Sequence, residues 1–246
     1  MVRGLTTKII TIARRRLLAG LLMASLPFLA VSMSPSSLYA QDNSKSSVTV
    51  SHENRYFNLP VPEKFCDETE NAYGKLMIEA LKPGIKQMGG LLNSKIIVRK
   101  CESTSVFPWG YVSIGPEIGF NLTQQQFNQI QNQKLGNESL MNSIEELILD
   151  GVEEDLGIDI KGFSTGVPQP LLSDEHTNIF VVKINTGATQ TSVNEKLAIT
   201  SSTLIRNRSI DYFIYINADE KDMSLQEAVK ILHRNAMRMR QLNPDN

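Results

Sequence analysis

The first forty residues constrain this chain most, because they have the composition of a secretion signal rather than of a folded domain. Positions 3 to 16 contain no acidic residue and five basic ones: Arg3, Lys8, Arg14, Arg15 and Arg16. An apolar stretch at 17–33 follows, and small and polar residues lead to Ala40. A basic head, an apolar middle and a small residue at the cleavage point define a signal peptide. We therefore expect cleavage after Ala40.

An uncleaved membrane anchor is the alternative for the same segment. The apolar stretch is about 17 residues long, at the short limit for a helix that spans a bilayer, and Pro27 interrupts it. Cleavage explains these features better. The run Arg14-Arg15-Arg16 also resembles a twin-arginine export signal, so the sequence leaves the choice of export route open.

Removal of the signal makes the chain acidic. The full sequence has 25 basic and 26 acidic residues, and loss of the five basic residues leaves a net charge of about −6. Nucleic-acid binding requires a basic face, so no nucleic-acid partner is expected, and the membrane is contacted only through the signal. About 206 residues remain, which suit a flexible polar leader at 41–47 and a single domain at 48–246.

The two cysteines, Cys66 and Cys101, predict a disulfide. In an oxidising compartment an isolated pair is most simply bonded. Closing a loop of about 35 residues stabilises a fold by roughly 4 kcal/mol in the chain-entropy model. Two buried free thiols are the alternative, and the spacing fits neither a metal site nor a redox pair.

The hydrophobic pattern predicts an α+β fold with a mainly antiparallel sheet, because helices are grouped between runs of strands. The Gln- and Asn-rich stretch at 124–133 is expected to form a solvated helix face. The final helix has a capping box, Ser224 to Glu227. The predicted strands are at 48–61, 91–101, 109–114, 178–186, 197–205 and 210–217. The predicted helices are at 67–88, at 123–132, at 139–156 and from 224. Pro83-Gly84 is expected to break or kink the first helix.

This order of elements carries a resemblance. A Pro-rich opening strand at 56–62 leads through Phe65-Cys66 into a helix, and a hairpin followed by a helix closes the chain. Both features resemble the Mog1/PsbP-type α/β/α sandwich over most of 48–242. The resemblance implies helices on both faces of the sheet and a role in binding partners or assisting assembly. It supplies no catalytic motif, and a function inferred from fold alone is analogy.

One motif suggests catalysis. Residues 162–166 read G-x-S-x-G, the turn that exposes the nucleophile of many serine hydrolases, with Ser164 at its centre. The following Val167-Pro168 disfavours the helix that such a turn requires, so a loop is the preferred interpretation. The partners available for a triad are Asp174 or Asp211 with His176 or His233, of which His233 is the candidate base.

No metal or cofactor is expected. Six carboxylates could hold a divalent cation weakly, but a solvated helix face explains them without a ligand: Glu145, Glu146, Asp150, Glu153, Glu154 and Asp155. The three histidines are too scattered for a zinc site, and no glycine-rich phosphate loop is present.

Two further groups are candidates for binding. Trp109 and Tyr111, which flank Gly110, suit either a recognition groove or a plug at the end of the sheet. Arg234 and Arg238 continue a helical stripe from Lys230, which suits either an acidic partner or anionic lipid headgroups, or only a solvated face.

The sequence therefore predicts an exported, non-enzymatic domain that binds an unidentified envelope protein or a small ligand. A small serine hydrolase that uses Ser164 is one alternative. A scaffold tethered to the membrane by an uncleaved signal is the other.

Overall fold

An antiparallel sheet of eight strands dominates the computed structural model, which describes residues 47–87, 93–103, 105, 107–119, 121–135, 163–189, 192–219 and 221–244. The predicted signal, most of the leader, the helix predicted at 139–156 with its acidic residues, and Gly162 lie outside the described residues. Within the described part, no helix has the length and apolar character needed to cross a membrane.

The described elements confirm the predicted α+β class, and every strand pair among them is antiparallel. The main sheet has the order β3-β4-β5-β10-β9-β8-β6 with β7 also on β8, while β1 and β2 form a separate hairpin. The elements are β1 Ser47–His52, β2 Arg55–Pro60, β3 Phe65–Asp67, α1 Ala72–Gln87, β4 Asn93–Lys100, β5 Trp109–Ile114, α2 Gln124–Leu135, β6 Phe163–Thr165, β7 Gln169–Ser173, β8 Asn178–Thr189, β9 Ser192–Ile205, β10 Arg208–Asn217 and α3 Leu225–Leu242.

The main core lies between one face of the sheet and α3. Alternate residues of β10 point into this core, as the period of two in its sequence predicts, and they are Ile210, Tyr212, Ile214 and Ile216. The stripe of α3 that meets them includes Ala228, Leu232 and Met239. Each large aliphatic side chain buried here stabilises the fold by roughly 1.5–3 kcal/mol. Helix α3 begins at the predicted cap, where Ser224 Oγ accepts a hydrogen bond from the Glu227 amide.

The other face of the sheet buries the aromatic residues of β5 and β10. Trp109 and Tyr111 are fully buried, and their rings stack on Tyr215 and Phe213 at centroid distances of 4.7 and 4.5 Å. The two strands come very close at Gly110, where a Cβ atom would lie 2.1 Å from the Phe213 carbonyl oxygen. Trp109 and Tyr111 therefore do not line a groove on the surface, since both side chains pack against other aromatic rings on this face of the sheet.

Helix α2 only partly matches the solvated helix predicted at 124–133. Its outer side is exposed at Gln125, Gln126, Gln129 and Gln133, but polar side chains on its other side pack against the end of the sheet. Gln124 and Asn128 are buried. The Gln124 Nε2 donates to the Ser202 carbonyl at 3.1 Å, and the Asn128 Nδ2 donates to the Thr177 carbonyl at 3.1 Å. The end of the sheet under α2 is itself polar, so amide side chains satisfy its groups better than apolar ones would.

The boundaries of α1 also differ from the prediction. The helix begins at Ala72 rather than at 67, because Phe65–Asp67 pairs with β4 as a short strand. It continues across Pro83 and Gly84 to Gln87, so neither residue ends it.

The predicted disulfide is confirmed. The Cys66 and Cys101 sulfur atoms are 2.02 Å apart and join β3 to the residue that follows β4.

Candidate binding cleft

A surface cleft of about 990 Å³ opens at the end of the sheet where β9 turns into β10. Its volume is at the upper end of the roughly 300–1,000 Å³ typical of sites for small ligands. Six separate parts of the chain supply its lining, which consists of Arg55, Glu117, Asn121, Leu122, Thr123, Gln124, Gln125, Glu175, Leu204, Arg206, Asn207 and Arg240.

The hairpin turn between β9 and β10 places Arg206 in the cleft. Only Arg206 and Asn207 separate the paired residues Ile205 and Arg208, and both have positive φ, at 48° and 60°. This is the geometry of the tight turn that suits the twist of two antiparallel strands. The Arg206 guanidinium donates to the carbonyl oxygens of Tyr56 and Pro244 at 3.3 and 3.2 Å. These bonds fix its direction, and both acceptors are neutral carbonyl oxygens.

The amino terminus of α2 forms a second wall. Thr123 Oγ1 accepts from the Gln126 amide at 3.2 Å, and the Gln126 Oε1 accepts from the Thr123 amide at 2.9 Å, which is a reciprocal capping box. The Gln124 and Gln125 amides belong to the first turn, whose N–H groups have no acceptor within the helix. The helix dipole adds partial positive charge at this end.

Arg240, near the end of α3, closes the cleft on the third side. Its NH2 group donates to the Gln124 Oε1 at 2.7 Å, and its Nε donates to the His176 carbonyl at 3.2 Å. The same Gln124 oxygen accepts from the Leu204 amide at 2.7 Å. One buried amide side chain thus joins α2, α3 and β9, so the walls of the cleft are held together before any ligand binds.

An ion-pair network lies beside the cleft. The Arg208 side chain is 2 % exposed and contacts Glu53 at 2.7 Å and Glu117 at 3.2 Å. Arg55 also contacts Glu117 at 3.2 Å, so two arginines share that carboxylate. Among the described residues, no carboxylate forms an ion pair with Arg206. The lining therefore retains excess positive charge in a protein whose expected mature net charge is negative.

The histidines and aspartate considered for a triad partly meet beside this cleft. The His233 Nε2 on α3 lies 2.7 Å from the Asp174 Oδ2, and the rings of His176 and His233 are 6.1 Å apart. The other oxygen of Asp174 accepts from the His176 and Thr177 amides at 2.8 and 2.9 Å. Partial burial raises the pKa of Asp174, but these hydrogen bonds and His233 outweigh it, so the pKa lies below its usual value of 3.8.

Stability is expected to decline in acid because of Asp174. A carboxyl group whose pKa is depressed in the folded protein stabilises the fold above its unfolded pKa, and this contribution disappears as pH falls through the lower, folded value. Urea unfolding across the range from neutral pH to below pH 4 should show a loss that is smaller in Asp174→Asn. An identical acid slope in the variant would contradict the assignment.

Ser164 lies far from that histidine and aspartate. It occupies the middle of β6, where it pairs with Asn185, whereas Asp174 lies next to the start of β8 at Asn178. Seven residues of extended strand separate Asn178 from Asn185, about 23 Å. Asp211, the alternative to Asp174 as the acid of a triad, is buried in β10 and accepts a hydrogen bond from the Ser209 Oγ at 3.0 Å. The described backbone therefore does not assemble a triad from Ser164, Asp174 and His233.

The arginine stripe of α3 lies outside the cleft lining. Arg234 pairs with Glu63 at 2.6 Å, and the Arg238 NH1 donates to the Val61 carbonyl at 3.5 Å. Both contacts hold α3 against the segment that follows β2, so these two arginines already have partners within the protein.

In the described part of the chain, no group of three or more His, Cys, Asp or Glu residues is placed to hold a metal ion.

Comparisons with known proteins give a similarity of fold alone. No family model matches the chain, and no curated protein matches it. The solution structure of the cyanobacterial PsbP protein CyanoP from Synechocystis sp. PCC 6803 is similar to 86% of this chain and 97% of its own, with 12% identity and a TM-score of 0.36. This is a weak, fold-level resemblance of the kind that the order of elements predicts. The chemistry of the cleft is derived from this chain's own residues.

Proposed function

We propose that the protein is an exported, non-enzymatic domain whose cleft binds a small ligand in the cell envelope. The observation that carries this proposal is the cleft itself, in which hydrogen bonds fix Arg206 and Arg240 before a ligand arrives. Side chains that are already held lose little conformational freedom on binding, so more of the contact energy becomes affinity.

Export is supported by two independent features. The first forty residues have the three parts of a signal peptide. The disulfide between Cys66 and Cys101 is the bond that an oxidising compartment permits and that the cytosol usually reduces.

Binding without catalysis is supported by the separation of the candidate catalytic groups. The histidine–aspartate pair lies beside the cleft, while Ser164 pairs with Asn185, about 23 Å along β8 from the strand start that lies next to Asp174. In the structure, Asp174 also shapes the turn before β8 through the His176 and Thr177 amides. This structural role explains the contact between Asp174 and His233 without requiring a nucleophile nearby.

Native mass spectrometry of the protein purified from the envelope fraction tests this function. We expect a protein mass that begins at Gln41, accompanied by a bound small molecule. Gln125→Trp is expected to abolish the bound mass, because Gln125 is an exposed residue of the cleft lining and an indole there fills the space.

The matched control is Gln129→Trp, which places the same side chain one turn further along α2, at an exposed position outside the lining. We expect this variant to retain the ligand. Equal retention by the two variants, or a wild-type protein without any bound mass, would contradict the proposed binding function.

A further inference from the structure

The charge of the cleft indicates the class of its ligand. Resting on the binding function proposed above, we propose that the ligand is a small organic anion that has carboxylate or phosphate oxygens and an apolar part. Each property corresponds to a group of lining residues.

Arg206 is the principal contact. A guanidinium has five N–H donors, and the carbonyl oxygens of Tyr56 and Pro244 take only part of that capacity. Because those acceptors are neutral carbonyls, the positive charge is available to an anion. A hydrogen bond between a charged group and its partner is roughly twice as strong as one between two neutral groups, so an oxyanion is a favourable acceptor for this guanidinium.

Two further groups face the same space. Arg240 is a second guanidinium in the lining, and its Gln124 and His176 contacts fix its position. Gln124 and Gln125, at the start of α2, also belong to the lining, and the N–H groups of this first turn have no acceptor within the helix. Positive groups on two walls suit a ligand with more than one oxyanion group.

The acidic residues of the lining oppose this binding only weakly. Glu117 is already shared by Arg55 and Arg208, so its charge is compensated within the protein. The Glu175 side chain is 76 % exposed and lies 3.7 Å from His176. Water and salt therefore screen its charge.

An apolar part of the ligand is indicated by Leu122 and Leu204, which also belong to the lining. Leu204 packs with Ile118 and Phe127 in a small apolar cluster that Leu122 joins. The cleft is far larger than one inorganic anion requires. A ligand that has carbon atoms as well as oxyanions fills it better than free phosphate does.

Isothermal titration of the mature protein tests the ligand class with defined probes. Trimesate and phenyl phosphate carry oxyanions on an apolar ring, while trimesamide, the neutral triamide of trimesate, has the same ring without charge. We expect at least one of the two anions to bind, its affinity to fall as sodium chloride is raised, and trimesamide to remain unbound. Inorganic phosphate alone is expected to bind more weakly than the ring-bearing anion.

Arg206→Asn is the informative variant, because asparagine suits the positive φ of this turn and the hairpin is retained. We expect about a tenfold loss of anion affinity, as for removal of a charged hydrogen bond of about 1.4 kcal/mol. Arg234→Gln, on the outer side of α3, is the control and should bind as the wild type does. Equal affinities of Arg206→Asn and the wild type would overturn the proposal.

The two proposals fail in different ways. If the envelope protein carries a bound mass that Gln125→Trp removes, but neither trimesate nor phenyl phosphate binds, the anion proposal is overturned and the binding function stands. If no bound mass is found and no probe binds, both are overturned.

Discussion

Reduction of the Cys66–Cys101 disulfide is expected to lower the free energy of unfolding by about 4 kcal/mol. The bond closes a loop with a sequence separation of 35 residues, and the chain-entropy model assigns about 4 kcal/mol to a loop of that length. A domain of this size is stable by about 5–15 kcal/mol in total, so the loss is a large fraction.

The effect should be large because the strand that the disulfide holds in the sheet is short. β3 has only three residues and lies at an edge of the sheet, and the Cys101 amide donates to the Lys64 carbonyl beside it at 2.9 Å. Phe65 of this strand is buried in the main core. Without the disulfide, the strand loses its one covalent link to the end of β4 and depends on non-covalent contacts, among them its pairing with β4 and the burial of Phe65.

Urea unfolding with and without reductant measures this effect. The double variant Cys66→Ala/Cys101→Ala should unfold at the urea midpoint of the reduced wild-type protein, whether or not reductant is present. This control separates loss of the disulfide from other effects of the reductant. A single midpoint for oxidised and reduced wild-type protein would show that the bond does not stabilise the fold.

Arg208→Met is expected to destabilise the protein by about 3 kcal/mol. Arg208 is almost completely buried, and its guanidinium contacts Glu53, Glu117 and the Gly115 carbonyl, the last at 3.1 Å. Removal of one partner from a buried ion pair typically costs about 3–5 kcal/mol. The lower figure applies here because both glutamates are about half exposed, so water takes over part of their solvation.

The matched control is Arg55→Met. Arg55 contacts the same Glu117, but its side chain is 43 % exposed. Exposed ion pairs contribute about 0–1 kcal/mol, so this variant should lose less than about 1 kcal/mol in the same urea titration. Comparable losses in the two variants would contradict the view that burial makes Arg208 important.

The elements predicted well are those with local signals. β5 was predicted within its observed bounds, and the capping box at Ser224 located the start of α3. The short strands β3, β6 and β7 were not predicted, because three to five residues acquire strand geometry only by pairing with distant strands. The buried polar face of α2 was misinterpreted because it depends on the polar end of the sheet, which the sequence of the helix does not contain.

The cleft could not be predicted from the sequence for a similar reason. Arg55, Arg206 and Arg240 are far apart along the chain and meet only because the hairpin β1–β2, the turn β9–β10 and the end of α3 share one end of the sheet. The histidine–aspartate contact joins residues 59 positions apart. An arginine in a two-residue hairpin turn was the one local signal available, since asparagine and glycine are the usual residues there.

The turn between β9 and β10 is less stable than the same turn would be with residues that favour a positive φ. Asparagine adopts the left-handed region readily, and Asn207 does so, but an arginine at a φ of 48° bears a steric penalty of about 1–2 kcal/mol. An Asn-Gly pair at these two positions would relieve it. The hairpin thus gives up some conformational stability at one position, and the side chain responsible is the guanidinium that reaches the cleft.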